Sequence, residues 1–495
     1  MSHVPSFPPA GARRAGSLPA RRLVHGASAL VLSAALAACA VGPNYQAPAT
    51  ALQAFHNAPA VAARTAPVAP PLDTWWTGFD DPILNGLVDK ALAQNLDLAA
   101  AYARLDQARA ATQAATARLL PTLDAGAQQA AQHQSLNSPL GEIGHTLPGY
   151  KRDQRLYDAD LSASWEIDLA GGLRRGHNAA VDEMQAAKAE AVGTRISVAA
   201  DVADAYFQIR GDQARLAAVE GQVEIDGHTL DLVRQRHDRG LANDRELSQA
   251  QAVLKQAQAS LAPLRIALEI QLNRLDVLLG EQPGASAAEL ATVHDVPTVP
   301  AIPDAGTTTD FLRRRPDVVA AERRLAASNE NIGVALSDYY PKVSLAGLLG
   351  AESLTGSQLF KGASAQSQVA GGFTWQIFDF GKVDAEVKSA RGAHAAALAD
   401  YRQSVLHAAE DVEDAFITLT QTETMTAQLQ DEVKALEHAR DLSQQAYAAG
   451  SIPLTDVLDA NRQLLAAQDQ LAQNKADAAR AAVMSFRALG GGWGK

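Results

Sequence analysis

The strongest constraint on how this chain folds is that it carries one pattern twice. Asp97, Ala100, Ala101, Arg104, Leu105 and Pro121 recur 220 positions later as Asp317, Ala320, Ala321, Arg324, Leu325 and Pro341. Beyond that point the offset falls to 210 and holds. Trp165 matches Trp375, Gly171 matches Gly381, Asp201 and Asp204 match Asp411 and Asp414, Gly240 matches Gly450, Leu254 matches Leu464, and Gly280 matches Gly490. Two copies of a unit of about 200 residues are expected to fold alike, the first with ten extra residues between its proline and its tryptophan. The copies span 85–280 and 310–490, joined by a proline-rich linker at 281–309 and followed by a tail at 491–495.

Each copy has the same internal order. A helical stretch comes first, at 84–119 and 309–338. A proline then opens segments that alternate apolar and polar residues with period two. In the clearest, Tyr157, Ala159, Leu161, Ala163, Trp165, Ile167 and Leu169 face one way, and Asp158, Asp160, Ser162, Ser164, Glu166 and Asp168 the other. Its counterpart sets Val369, Phe373, Trp375 and Ile377 against Gln368, Thr374 and Gln376. With Leu123, Ala125 and Ala127, and with Val343 and Leu345, this predicts four strands in two hairpins, at about 122–132, 157–169, 342–352 and 367–379. An ordinary half-buried sheet alternates in the same way. Carboxylates concentrated on one face and runs near the ~9–11 residues of a membrane strand point instead to a barrel wall with a water-filled interior. Four strands fall short of the ~8 that close the smallest barrel, so such a barrel must be shared between chains.

After each second strand the chain runs without proline, from Gly172 to Gly240 and from Gly381 to Gly450. At ~1.5 Å per residue each run can form a helix of ~100 Å. Val202, Ile209, Leu216, Val223 and Leu230 recur every seven residues, as do Leu247, Leu254, Leu261, Leu268 and Leu275 after Gly240. That period predicts coiled-coil hairpins that turn back at Gly240 and Gly450. Pro263 is expected to break or kink the first returning helix.

The amino terminus reads as a processing signal over 1–38: arginines lead into the apolar stretch 23–36, which ends in Leu36-Ala37-Ala38-Cys39. This sequence looks like a bacterial lipobox, which implies acylation of Cys39, the only cysteine, followed by a Pro/Ala-rich segment over 39–84 whose first part, to residue 74, is expected to be extended. Ala40 after the cysteine fits outer-membrane rather than inner-membrane sorting. Loss of Arg13, Arg14, Arg21 and Arg22 with the signal takes the formal charge from −12 to −16, which disfavours nucleic acid as a partner. Past Cys39 no apolar run approaches the ~18 residues of a spanning helix. A single thiol excludes an intrachain disulfide and multi-thiolate metal sites. No hydrolase elbow, zinc-binding helix or phosphate loop is present, so no enzyme, cofactor or metal is expected.

Several ordered pieces then carry a resemblance. Cys39-Ala-Val-Gly42-Pro43-Asn-Tyr45 resembles the start of outer-membrane factor lipoproteins of tripartite efflux systems, the TolC-like group of NodT type. Trp75-Trp76, Asp81-Pro82, Ser164-Trp165-Glu166-Ile167-Asp168-Leu169 with Arg174-Arg175, Arg314-Arg315-Pro316-Asp317, Tyr340-Pro341, Phe378-Asp379-Phe380-Gly381, and Leu458-Asp459-Ala460-Asn461-Arg462 are similar to that family in the same order. The resemblance implies a mainly α chain with a membrane β-barrel, assembled as a homotrimer with a 12-stranded barrel in outer-membrane lipid and an α-helical periplasmic tunnel. It implies docking to a periplasmic adaptor and an inner-membrane pump of the RND class, and passive conduction of small molecules. The turn residues Arg239, Asp244, Arg245 and Asp456 are candidates for the periplasmic gate. Several relatives carry an acid two positions after the second turn glycine; here Ile452 stands there, followed by Pro453, which makes Ile452 a candidate apolar constriction. A periplasmic coiled-coil scaffold or adaptor lipoprotein without a pore is the alternative. It accounts for Cys39 and the heptads but not for four alternating strands placed identically in two copies.

Overall fold

The computed structural model describes residues 40–49, 52–304 and 308–493. The signal and Cys39 lie outside the described residues. The chain opens with α1 (Ala58–Ala62), a 3-10 helix over Leu72–Phe79, α2 (Pro82–Gln94) and α3 (Leu96–Ala117). The first hairpin is β1 (Thr122–His133), α4 (Pro139–Gly144) and β2 (Asp153–Ile167), and the long helices α5 (Gly172–Asp238) and α6 (Asp244–Leu278) follow. The second copy repeats the order with α7 (Thr308–Arg314), α8 (Pro316–Ser337), β3 (Lys342–Ser353), β4 (Ala365–Thr374), α9 (Lys382–Ala448) and α10 (Leu454–Ala488). Carrying α3 and β1 forward by 220 gives the bounds of α8 and β3, and carrying α5 and α6 by 210 gives those of α9 and α10.

The opening helical stretches are each two helices rather than one. The break falls at Asn95 and, 220 residues on, immediately before Pro316. Asn95 leaves helical geometry at ψ 130°, and its side chain accepts from Leu98 N at 2.9 Å while donating to Leu278 O at 2.9 Å. In the second copy Pro316 itself holds the preceding residue out of the helical region. The segment after Cys39 is also less extended than its composition predicts. It forms α1 and the 3-10 helix, and Trp75 and Trp76 are buried.

The four strands form one antiparallel sheet in the order β1-β2-β3-β4, so the two hairpins are joined through β2 and β3. The limits of β2 and β4 differ from expectation. β2 starts at Asp153 because residues 153–156 pair with Ala130–His133, and it stops at Ile167 because Asp168 turns to cap the next helix. β4 stops at Thr374, opposite Lys342, where β3 begins. Trp375 and Ile377 therefore continue the alternation with no strand beside them in the same chain.

By packing, the chain divides into two compact units that cut across the repeats. One contains the sheet with its flanking segments, residues 115–177 and 330–390 together with 40–44. The other contains 45–114, 178–329 and 391 onward. In the helical unit Trp75 stacks on Phe486 at 5.3 Å and Phe79 lies 4.7 Å from Phe207, so aromatics share the core with the helix alanines. Val202, Ile209 and Leu230 are buried as the heptads predict. On α6 the seam centres instead on Ala250, Ala257 and Leu264, with Leu247, Leu254 and Leu261 half-buried beside it. The small side chains occupy the middle because they let the helices approach. α6 also runs unbroken through Pro263. The carbonyl that Pro263 leaves unbonded belongs to Ala259, and both residues are exposed, so water can satisfy it.

Candidate functional site

The sheet leaves one of its faces without a core. Ala125 opposes Leu161, Trp165 opposes Leu345, Leu161 opposes Leu349, and Val343 opposes Phe373, which places every apolar odd-numbered residue on one face. None of these side chains joins any hydrophobic cluster among the described residues. Leu123 is 71 % exposed, Phe373 67 % and Val369 88 %. At roughly 25 cal/mol per Å² of apolar surface, a four-stranded face of this kind is unfavourable in water and demands an apolar surrounding. The opposite face carries Asp124, Asp158, Asp160, Glu166 and Glu352, with Gln366 Nε2 donating to Asp158 Oδ2 at 3.2 Å. Among the described residues no helix is long and apolar enough to cross a membrane.

Where the sheet meets the helices, each repeat uses the same fastening. Trp165 Nε1 donates to Leu119 O at 3.0 Å, and Trp375 Nε1 to Tyr339 O at 3.0 Å. These are the same bond carried forward by 210 and 220. Asp168 accepts from Leu173 N and Arg174 N, and Asp379 from Gly381 N and Val383 N, so a carboxylate caps the start of each long helix. Arg175 was visible in the sequence only as part of a motif. In the structure it is buried, donates to both carboxylate oxygens of Glu330 at 2.9 and 3.0 Å, and reaches Val41 O, Gly42 O and Asn44 Oδ1.

At the far ends of the long helices lie the two turns. Gly240 has φ +70° and Gly450 φ +78°, the left-handed geometry that a helix reversal requires. Both close the same pair of bonds: Gly240 N to His237 O and Leu241 N to Arg236 O, then Gly450 N to Tyr447 O and Ser451 N to Ala446 O. Asn243 caps α6 through Glu246 N at 3.0 Å. Among the candidate gate residues, Arg239, Arg245 and Asp456 are exposed, and Asp244 is exposed beside His237 Nε2 at 2.9 Å. Ile452 is half-buried against the apolar cluster formed by Leu230, Val233, Tyr447, Leu454 and Val457. The structure also shows a link between the hairpins that no sequence pattern announced. Arg236 lies 4.7 Å above the Tyr447 ring and donates to the Tyr447 carbonyl at 3.1 Å.

Comparison with known proteins agrees with this architecture. The family model described as outer membrane efflux protein matches residues 87–281 and 308–491, one stretch per repeat. The pyoverdine export outer membrane protein OpmQ of Pseudomonas putida is 33% identical over 427 residues, 86% of this chain and 89% of that protein. The toluene efflux pump outer membrane protein TtgF of Pseudomonas putida is 30% identical over 475 residues, 94% of this chain and 96% of that protein. Among solved structures, the outer-membrane channel OprN superposes with a TM-score of 0.83 at 33% identity, covering 92% of this chain and all of its own, 100%. The open state of the Neisseria gonorrhoeae MtrE outer membrane channel gives a TM-score of 0.78 at 26% identity, covering 92% and 99%. The chain belongs to the outer membrane efflux protein family, a family of transport channels and not of enzymes.

Proposed function

We propose that this protein is the outer-membrane conduit of a tripartite efflux system, working as a homotrimer. Three chains supply a 12-stranded barrel, the carboxylate-rich sheet face lines its interior, and the long helices continue it as a periplasmic tunnel. A periplasmic adaptor and an inner-membrane pump of the RND class deliver the cargo and the energy. The observation that carries this reading is the apolar sheet face with no core behind it, since lipid is the surrounding that stabilises such a face. Acylation of Cys39 adds a lipid anchor to a protein already held by its strands. Arg239, Asp244, Arg245, Ile452 and Asp456 surround the periplasmic mouth, with Gly240 and Gly450 forming its turns. Relatives named for pyoverdine export and for toluene efflux align with 86% and 94% of this chain, which supports selection of cargo by the pump rather than by the conduit.

The test is purification from outer-membrane fractions in detergent. A heat-modifiable trimer with single-channel conductance in planar bilayers is expected. A detergent-free soluble monomer after replacement of the signal and Cys39 would instead support the pore-free scaffold.

A further inference from the structure

Within the helical unit, a groove of about 480 Å³ is lined by three helices. α5 contributes Gln222 and Asp226, α6 contributes Gln249 and Val253, and α10 contributes Leu458 and Asn461. Asp226 is 2 % exposed and accepts from Gln222 Nε2 at 2.7 Å, but it forms no ion pair among the described residues. Arg462, which lines the same groove, gives its charge to Asp459. Asn461 is also 2 % exposed, and neither its Oδ1 nor the Oε1 of Gln249 has a hydrogen-bond partner among the described residues. A buried acceptor without a donor is unfavourable, and a buried carboxylate without a cation more so.

The fold itself does not call for these groups. Carried forward by 210, Asp226 becomes Leu436, which packs against the apolar cluster of Val433 and Leu464. The second repeat builds the matching seam with a leucine, so the buried carboxylate is particular to the first.

We propose that this groove binds a small primary amine, with its ammonium on Asp226, Asn461 Oδ1 and Gln249 Oε1 and its aliphatic part against Val253 and Leu458. Three acceptors from three helices match the three N–H donors of an ammonium. One uncompensated carboxylate balances one positive charge. A calcium ion takes ~6–8 oxygen ligands, more than these side chains offer. Among the described residues no group of three or more His, Cys, Asp or Glu side chains is placed to hold a metal ion. The groove volume lies within the ~300–1,000 Å³ of small-molecule sites. Every group involved belongs to one chain, so the site is independent of the assembly proposed above.

Calorimetric titration of the full-length protein in detergent with butylammonium chloride tests this. Saturable binding at one site per chain is expected, and the melting temperature of the helices should rise with occupancy. Asp226→Asn removes the charge and keeps the shape, and should weaken binding at least about tenfold, as for a lost charge-assisted hydrogen bond. Gln249→Met, which removes one acceptor at similar volume, should weaken it less. Tetramethylammonium chloride carries the same charge without N–H donors and should not bind. Absence of saturable binding overturns the proposal, as does equal binding of butylammonium by Asp226→Asn or equal binding of tetramethylammonium by the unsubstituted protein. Calcium binding that Asp226→Asn abolishes, with none of butylammonium, would make the groove a metal site instead.

Discussion

Arg175 and Glu330 form a two-bond ion pair at 2.9 and 3.0 Å, with both side chains under one tenth exposed, and the same guanidinium holds the backbone at Val41 and Gly42. A residue at the start of α5 and one in α8 thus fasten the segment that follows Cys39, the position proposed to carry lipid. Gly333 completes the seat, because a Cβ there would lie 2.9 Å from Val41 O.

Arg175→Met should be strongly destabilising. It leaves the Glu330 carboxylate buried without its partner, which costs ~3–5 kcal/mol. The paired change Arg175→Met with Glu330→Gln should recover much of that loss. Urea unfolding of the purified protein measures the first effect. Limited proteolysis with mass spectrometry measures the second consequence, faster cleavage between residues 41 and 49 in the single variant.

Much of this arrangement was legible in the sequence, for physical reasons that also mark the limit. Proline-free heptads specify long helices, period-two alternation specifies strands, and both are local properties that the two copies state twice. The role of Arg175 is not local. It depends on Val41 and Glu330, 134 and 155 residues away, and no periodicity connects them. The break at Asn95 was missed because a single asparagine within an alanine-rich stretch gives little signal until its contact with Leu278 O is known. The expected break at Pro263 did not occur because the cost of proline in a helix depends on whether the freed carbonyl is buried, and that is a tertiary property. Strand limits failed where distant partners set them: Thr374 ends β4 because its partner strand begins at Lys342, and Ile167 ends β2 because Asp168 caps the next helix.

Asp226 gives a pH prediction. It is buried beside Asn461, accepts from Gln222 Nε2 at 2.7 Å, and lies near Asp459 and Arg462 in the same polar groove. Burial pushes its carboxyl above the ordinary value, with the hydrogen bond from Gln222 opposing. The folded protein therefore holds this proton more tightly than the unfolded chain, whose aspartates titrate near ~3.9. Its contribution to stability is fully present below that value and is lost as pH rises through the raised folded value. Asp226→Asn should raise the melting temperature of the helical unit at pH 7, with the gain vanishing below about pH 4. Melts followed by helical circular dichroism at several pH values check this; a gain independent of pH would remove Asp226 from the explanation.

Gly450 gives a prediction free of packing effects. No atom lies within 4 Å of where a Cβ would stand, so a substitution there meets only backbone strain at φ +78°. Gly450→Ala should cost ~1–2 kcal/mol, and Gly450→Asn less, since asparagine tolerates this region. The same should hold at Gly240, where the surroundings are equally open. Hydrogen exchange at the amides of Gly450 and Ser451, which bond to Tyr447 O and Ala446 O, reads the local opening directly.

Arg236 and Tyr447 tie the end of α5 to the end of α9, and their contact separates two contributions. The guanidinium uses the ring face and the backbone carbonyl of Tyr447, while the hydroxyl of Tyr447 has no hydrogen-bond partner among the described residues. Tyr447→Phe keeps both elements of the contact and should leave closed-state conductance in planar bilayers unchanged. Tyr447→Leu removes the ring face, and Arg236→Gln removes the charge above it; an interaction of this type contributes ~0.5–2 kcal/mol. At a mouth proposed to open and close, losing that energy from the closed arrangement should raise the frequency of openings about two- to thirty-fold, by the usual relation between energy and population. Ile452→Ala trims the apolar cluster beneath Tyr447 and should act in the same direction. Equal conductance in Arg236→Gln and unsubstituted protein would show that the hairpin ends are held by their apolar contacts alone, with Leu230, Val233 and Leu454 as the next residues to change.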